Sequence, residues 1–259
     1  MTHVRDKQTT GLGWRVLMRG AAQQNYSVRL ARSADDLKAV QQLRFRVFNL
    51  ELNEGLDESY LTGVDADRFD LACDHVLVEC ARTREVVGTY RLQSGVTAGA
   101  CHGYYSEGEF DFSPFEPFRD ELLELGRACV ASDHRNVAVL GLLWQMIAAY
   151  ARDRECRYLI GCSSLTSQDS REGASLYFHL KQKHAAPFEF QTTARAEYEC
   201  PLHERSGVRP HVPKLLSAYL SIGAQICAPP AIDRQFKTID FLTLLDLDTL
   251  PISAGQART

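Results

Sequence analysis

The longest apolar run of this chain, Val137 to Ala151, is broken only by Gln145 and is set between two shorter apolar segments. It falls short of the roughly 20 residues that a bilayer-crossing helix needs, so it reads as a core helix. The segment before it, around Leu122 to Ala131, has strand character and ends in the polar Ser132-Asp-His-Arg-Asn136. The helix is expected from Val137 to about Arg154, and Tyr158-Leu-Ile-Gly-Cys162 follows as a short buried strand. In an α/β protein such a strand, polar loop and helix often receives a phosphorylated ligand, because unpaired N–H groups at a helix N-terminus attract anions.

The flanking sequence extends the same pattern. Tyr26-Ser-Val-Arg-Leu-Ala-Arg32 alternates as a strand does. Ser33 then stands at an N-cap position, Asp35 and Asp36 lie in the first turn, and Leu37, Val40, Leu43, Val47 and Leu50 follow at helical spacing. Asn53 to Phe69 reads as a polar, acidic loop. His75–Cys80 and Val86–Leu92 flank the turn Arg82-Thr-Arg-Glu85 and predict a hairpin. A helix from about Ser170 to Lys183, a strand at Glu197-Tyr-Glu-Cys200, a helix near Leu215 to Ile222 and the apolar Ile239–Leu245 complete the series. Hairpin strands followed by strand–helix–strand–helix–strand argue for a mixed α/β sheet in one domain, residues 26–250, between an N-terminal basic arm (1–25) and a short tail (251–259).

Composition sets the outer limits. With 259 residues, a net charge of −4 and 45% hydrophobic residues, the chain is an ordinary globular sequence, which excludes collagen, disorder and a disulfide-built miniprotein. The acidic balance removes the footprint of a general nucleic-acid binder, so no nucleic-acid partner is expected. Eight cysteines without a Cys-x-x-Cys pair read as small buried hydrophobes in a reducing compartment, and no metal site is expected. The N-terminus has basic residues but no continuous apolar stretch after them, so it is not a secretory signal and a cytoplasmic location is expected. Leu12, Trp14, Val16, Leu17 and Met18, interleaved with Arg15 and Arg19, suit either a headgroup surface at the inner membrane face or a disordered leader.

Several charged positions sit where apolar ones are expected. Glu124-Leu-Gly-Arg127 lies inside an apolar strand; a bulge at Gly126 would bring both charges to one face and turn backbone N–H groups toward a developing oxyanion. Arg44 interrupts an apolar helix stripe that continues at Phe48. Asp67-Arg-Phe-Asp70 places two carboxylates around an aromatic in a loop, and Arg91 ends a strand otherwise made of Val87, Thr89 and Leu92.

Taken in order, Arg44-x3-Phe48, Asp67-x2-Asp70, Gly88-Thr-Tyr-Arg91-Leu92 and Glu124-x2-Arg127 resemble the charged framework of the acyl-homoserine-lactone synthases, which are acyltransferases on the GNAT fold. The tryptophan common shortly after the first motif of that family is missing, residues 49 to 56 being Asn-Leu-Glu-Leu-Asn-Glu-Gly-Leu. A closer resemblance is to the ornithine N-acyltransferases and their hemolysin-like GNAT relatives. It is carried by Leu43–Phe48, Phe69–His75, Val87–Leu92, Leu125–Val130, Leu143-Trp144, Tyr158–Ser163, Pro229–Asp233 and Ile239–Leu242.

That resemblance implies transfer of a 3-hydroxyacyl chain from acyl carrier protein to the α-amine of ornithine, with acyl-phosphopantetheine as co-substrate and no bound cofactor. It implies Glu124 as the group that assists deprotonation of the ammonium, with Arg127 and Arg44 orienting Glu124 and the acidic loop. Asp67 and Asp70 would hold the cationic amino acid, Arg91 its carboxylate, and Phe48 would belong to the same acceptor site. Tyr177 stands where many GNAT enzymes keep the acid that protonates the leaving thiolate, or else is a core aromatic. Cys129, Val130, Arg135 and Ala138 would flank the donor. The family's pyrophosphate loop is here Arg135-Asn-Val-Ala138-Val-Leu140, which favours a carrier-tethered donor over coenzyme A. A basic patch of Arg152, Arg154, Arg157, Lys181 and Lys183 is expected to receive the acidic carrier. An N-acyl amino acid synthase for another amino acid, a lactone-forming signal synthase and a non-catalytic lipid- or carrier-binding module remain open at this point. A serine hydrolase is disfavoured, because the chain has no Gly-x-Ser-x-Gly elbow.

Overall fold

Strands β1 (Tyr26–Leu30), β2 (Asp74–Cys80), β3 (Val86–Ser94), β4 (Leu122–Val130), β5 (Tyr158–Leu165), β6 (Gln225–Ile226), β7 (Ala231–Asp233) and β8 (Thr238–Asp246) form one mixed sheet in the computed structural model, which describes residues 25–208 and 210–250. The order across the sheet is β1-β2-β3-β4-β5-β8-β6, with β7 also on β8. All pairs are antiparallel except β4 with β5. The helices are α1 (Ala34–Phe45), α2 (Ser59–Thr62), α3 (Gly95–Ala100), α4 (Val137–Asp153), α5 (Ser170–His184) and α6 (Lys214–Ser221). The long α4 is the crossover that a parallel pair requires.

Local chemistry sets the helix starts. Ser33 Oγ accepts from Asp36 N at 3.1 Å, and Asn136 Oδ1 accepts from both Ala138 N and Val139 N at 3.0 and 3.1 Å. These bonds satisfy amides that have no partner within the helix. Strand alternation divides the core. Val76 and Val78 of β2 pack with Leu143, Trp144 and Ile147 of α4, while Leu77 between them packs with Val40 and Leu43 of α1. Helices α1 and α4 therefore cover opposite faces.

Several expectations change. The helix that begins at Ala34 is α-helical only to Phe45 and continues as a π-helical stretch, Arg46–Glu51. Glu197–Cys200 is not a strand: Ala196–Tyr198 forms a 3-10 turn, and only Glu199 makes a single bridge, to Ala231. The segment between β3 and β4 supplies α3 and two 3-10 stretches, Ser106–Gly108 and Ser113–Glu121, which the sequence pattern did not single out. The aromatic residues of this segment, Tyr104, Phe110, Phe112 and Phe115, form a core of their own with Leu122 and Ile160. Among the described residues no helix is long and apolar enough to cross a membrane. The basic arm, apart from Asn25, and the tail 251–259 lie outside the described residues.

Candidate active site

The site begins where two strands part. β4 and β5 pair only over Leu122, Leu123 and Glu124 against Tyr158, Leu159 and Ile160. Between Arg91 and Thr89 of β3 the register advances two residues, whereas β4 advances three, from Gly126 to Cys129. The extra residue makes a bulge, and it is Arg127 that takes the left-handed conformation, at φ 49°, not Gly126. Gly161 of β5 is required at the parting point, because a Cβ there would lie 2.2 Å from the Leu125 carbonyl oxygen. The gap is the waist of a cavity of about 770 Å³, lined by Gly126–Val130 on one edge and Leu159–Ser164 on the other. That volume is ample for a small-molecule ligand.

Glu124 stands at the waist, buried, with Oε2 accepting from Tyr105 N and Oε1 from Ser106 N, both at 2.8 Å. Burial raises its pKa above the ordinary carboxylate value, and hydrogen bonds from the Ser106 hydroxyl and the two backbone amides oppose that rise. Glu124 makes no ion pair with Arg127, so the expected charged unit of these two residues does not form.

The arginines turn elsewhere. Arg44, wholly buried, donates to Asp65 Oδ1 at 2.6 Å and to both oxygens of Asp70 at 2.8 and 2.9 Å. Arg91 donates to Asp67 at 2.7 Å and to Asp70 at 3.0 Å; Arg127 donates to Asp67 at 3.0 Å and lies 3.4 Å from Asp65. Three arginines thus neutralise three aspartates. Burial would raise the Asp70 carboxyl, but the Arg44 charge and hydrogen bonds outweigh it and hold it well below its usual range. Asp67 is likewise lowered, by Arg91 and Arg127 against burial. Asp67 and Asp70 are therefore structural ion partners and not free to hold a cationic acceptor. Arg44 reaches the acidic loop but not Glu124. Arg91 and Arg127 do face the cavity, with Phe48, and Arg127 is clasped between the rings of Phe236 and Tyr105 at 4.3 and 4.9 Å.

From the waist the cavity extends two ways. One arm is apolar, lined by Val130, Leu140, Leu143, Trp144 and Leu245, with the hydroxyls of Tyr90 and Tyr219 hydrogen-bonded to each other. The other is acidic, with Glu54, Asp240 and Cys162 on its wall. Exposed lining residues Arg135, Val137, His211 and Lys214 open the cavity beside the N-termini of α4 and α6, and Leu52, Ser164 and Thr166 are exposed on its lining as well.

The donor-site expectations divide. Cys129, Val130 and Arg135 line the cavity, but Ala138 does not, and its N–H is taken by Asn136. The amides that would cradle a pyrophosphate are thus already bonded, while Arg135 pairs with Glu51. Tyr177 is not a lining residue. It packs with Leu176, Leu180 and Leu216 between α5 and α6, under Lys181. The residues of the expected carrier patch are not one group: Arg154 pairs with Asp74 and Arg157 with Asp246 and Asp248, at the far end of α4 about 25 Å from its N-terminus, whereas Lys181 and Lys183 lie on α5, Lys183 beside Val212 and Ser217.

Nucleophilic thiol catalysis is disfavoured. Burial pushes Cys129 up to about 12, and burial with the Glu109 and Asp240 charges drives Cys162 well above its usual value. Neither supplies a thiolate near neutral pH. The arrangement instead suits direct attack by an amine on a thioester, with Glu124 taking the proton.

A splayed parallel strand pair, a bulged neighbour and a carboxylate at the waist define an acyltransferase of the GNAT class, and the GNAT acetyltransferase domain model matches residues 43–145. The chain is 32% identical over 241 residues to the L-ornithine N(alpha)-acyltransferase of Rhodobacter capsulatus, covering 89% of this chain and 93% of that one. It is also 32% identical to the Brucella abortus protein of the same name, covering 86% and 85%. The chain belongs to the L-ornithine N(alpha)-acyltransferase family. Among solved structures, the acyl-homoserine-lactone synthase LasI aligns with a TM-score of 0.48 at 12% identity, over 90% of this chain and 98% of that one.

Proposed function

We propose that this chain transfers a long acyl group from a carrier-bound thioester to the α-amine of ornithine, the first step of ornithine-lipid assembly. The observation that carries the reading is Glu124, a buried carboxylate held by two backbone amides where an apolar arm meets an acidic one. The acyl chain occupies the apolar arm and the amino acid the acidic side. Glu124 takes a proton from the α-ammonium, whose free pKa is about 8. The freed amine attacks the thioester carbonyl, the C–S bond breaks, and the proton that the attacking nitrogen sheds in becoming an amide goes to the leaving thiolate. The backbone of the bulge at Arg127 and Ala128 faces the developing oxyanion.

The carrier-bound donor is supported by Asn136, whose side chain occupies the helix amides that a coenzyme A pyrophosphate would use. The product keeps its acyl chain, worth about 0.8 kcal/mol per buried CH2 in lipid, so release at a membrane face follows from its chemistry. Glu124→Gln keeps the size but only one of the two backbone bonds, since its amide nitrogen cannot accept from an N–H. It should lower kcat by roughly 10²–10⁴-fold while the protein stays folded, with a Tm loss of a few degrees at about 1–3 kcal/mol for the unsatisfied pair. Absence of N-acylornithine by mass spectrometry, with purified wild type, acyl carrier thioester and ornithine, would overturn the assignment.

A further inference from the structure

We propose that the acidic arm of the cavity, where Asp240 and Glu109 close around Cys162 with Glu54 beside them, receives the side-chain ammonium of the acceptor and so selects a diamino acid over neutral amino acids. This rests on the reading of Glu124 as the site of α-amine acylation.

The charge distribution is one-sided. Glu54, Glu109, Glu124, Asp233 and Asp240 are all at most 5% exposed. Among the described residues no lysine or arginine forms an ion pair with any of them, because Arg44, Arg91 and Arg127 are engaged by Asp65, Asp67 and Asp70. Asp233 is satisfied by Gln235 N and Phe236 N at 2.8 Å and by the Tyr105 hydroxyl at 3.2 Å, and Glu54 accepts from Thr166. Asp240 and Glu109 are different. Asp240 Oδ1 and Glu109 Oε1 are buried without any hydrogen-bond partner, and Asp240 lines the cavity. One carboxylate oxygen from each, with Cys162 Sγ, lie within 4.8 Å of one another. Asp240 otherwise meets the Ser164 and Thr238 side chains and the Glu109 carboxyl, and Glu109 the Cys162 sulfur, so one buried oxygen of each still lacks a donor that an ammonium, with three, would supply.

The spacing also suits a diamino acid. Ser106 N donates to Glu124 Oε1 at 2.8 Å, Ser106 Oγ lies 3.4 Å from Cys162 Sγ, and that sulfur lies 3.6 Å from Glu109 Oε2. A single residue, Ser106, thus separates the base from the acidic cluster, a gap that the carbon chain between the two amines of ornithine would bridge. The α-amine then faces Glu124 while the second amine is held away from the thioester. Burial, reinforced by neighbouring carboxylates, pushes Glu109 and Asp240 above the ordinary carboxylate value, Asp240 to about 6. A bound ammonium acts in the opposite direction and lowers both.

The test compares ornithine with norvaline, which has the same carbon chain without the second amine. Wild type should use ornithine with kcat/KM roughly 10–100-fold higher, mostly through KM, as expected for charge-assisted hydrogen bonds to a buried pair. Asp240→Asn and Glu109→Gln should each move that ratio toward one. Equal use of both amino acids by wild type would overturn the subsite while leaving amine acylation at Glu124 intact. A stoichiometric divalent ion in the purified protein, lost in Asp240→Asn, would overturn it in favour of a metal site. Acylation of neither amino acid would overturn the functional reading and the subsite with it. The wild-type comparison decides even where a variant fails to fold.

Discussion

Replacing Arg44 with methionine removes the guanidinium while keeping an unbranched side chain in the same space. Arg44 is wholly buried and donates to Asp65 and to both oxygens of Asp70, themselves buried. Its loss leaves two aspartates with Arg127 at 3.4 Å and with Arg91 and Gln41 at 3.0 and 2.9 Å as the remaining partners. Removing one member of a buried ion pair costs about 3–5 kcal/mol, more than the attraction itself contributes, because an uncompensated charge stays behind. At about 2 °C per kcal/mol for a chain of this size, Tm should fall by about 6–10 °C. The loss should depend on pH with a definite sign. In wild type the folded-state pKa of Asp70 is depressed, so its contribution is present above the unfolded value of about 3.9 and disappears as pH falls through the lower folded value. Without Arg44, burial dominates and the Asp70 pKa rises. The penalty is then full at pH 7.5 and shrinks as the pH falls through that raised value. Thermal unfolding of both proteins at pH 7.5 and pH 5 is the assay. A Tm difference under about 2 °C at pH 7.5, or one unchanged at pH 5, would refute the account of Arg44 as the counter-charge of the acidic loop. Adding Asp65→Asn and Asp70→Asn to Arg44→Met should recover much of the loss, since the stranded charges are then gone.

Other substitutions test the boundaries of the site. Tyr177→Phe should leave kcat within about twofold and Tm nearly unchanged, because the residue packs between α5 and α6 away from the cavity; a kcat loss of tenfold or more at unchanged Tm would restore it as the acid for the leaving thiolate. Gly161→Ala should lower Tm and activity together, since its Cβ would meet the Leu125 carbonyl oxygen at 2.2 Å; an unchanged Tm would show that β4 and β5 can part further at no cost. Lys214→Glu, at the opening, should raise KM for an acidic carrier, whereas Arg154→Glu and Arg157→Glu, about 25 Å away, should not; the reverse pattern in steady-state kinetics would relocate the docking face.

What the sequence determined by itself is what neighbours along the chain can settle. The apolar run from Val137, the Ser33 cap with Asp35 and Asp36, and the hairpin of β2 and β3 depend on periodicity and on bonds between residues a few positions apart. All three are found as read. The extra residue in β4 was also legible as a glycine inside an apolar strand, although the strained position is Arg127. The ordered charged motifs were enough to indicate the family. What the sequence could not assign was the partner of each charge. Arg44, Arg91 and Arg127 had several acidic candidates, and only the packing of α1, β3 and β4 against the loop at 65–70 turned Asp67 and Asp70 from acceptor ligands into counter-ions. The acidic arm was invisible for the same reason. Glu54, Glu109 and Asp240 come from three distant segments with no shared period, and Glu109 lies in a stretch whose 3-10 turns leave no regular pattern. Helices and strands announce themselves through local repetition, whereas a binding site is a convergence of side chains whose spacing exists only after the sheet has formed.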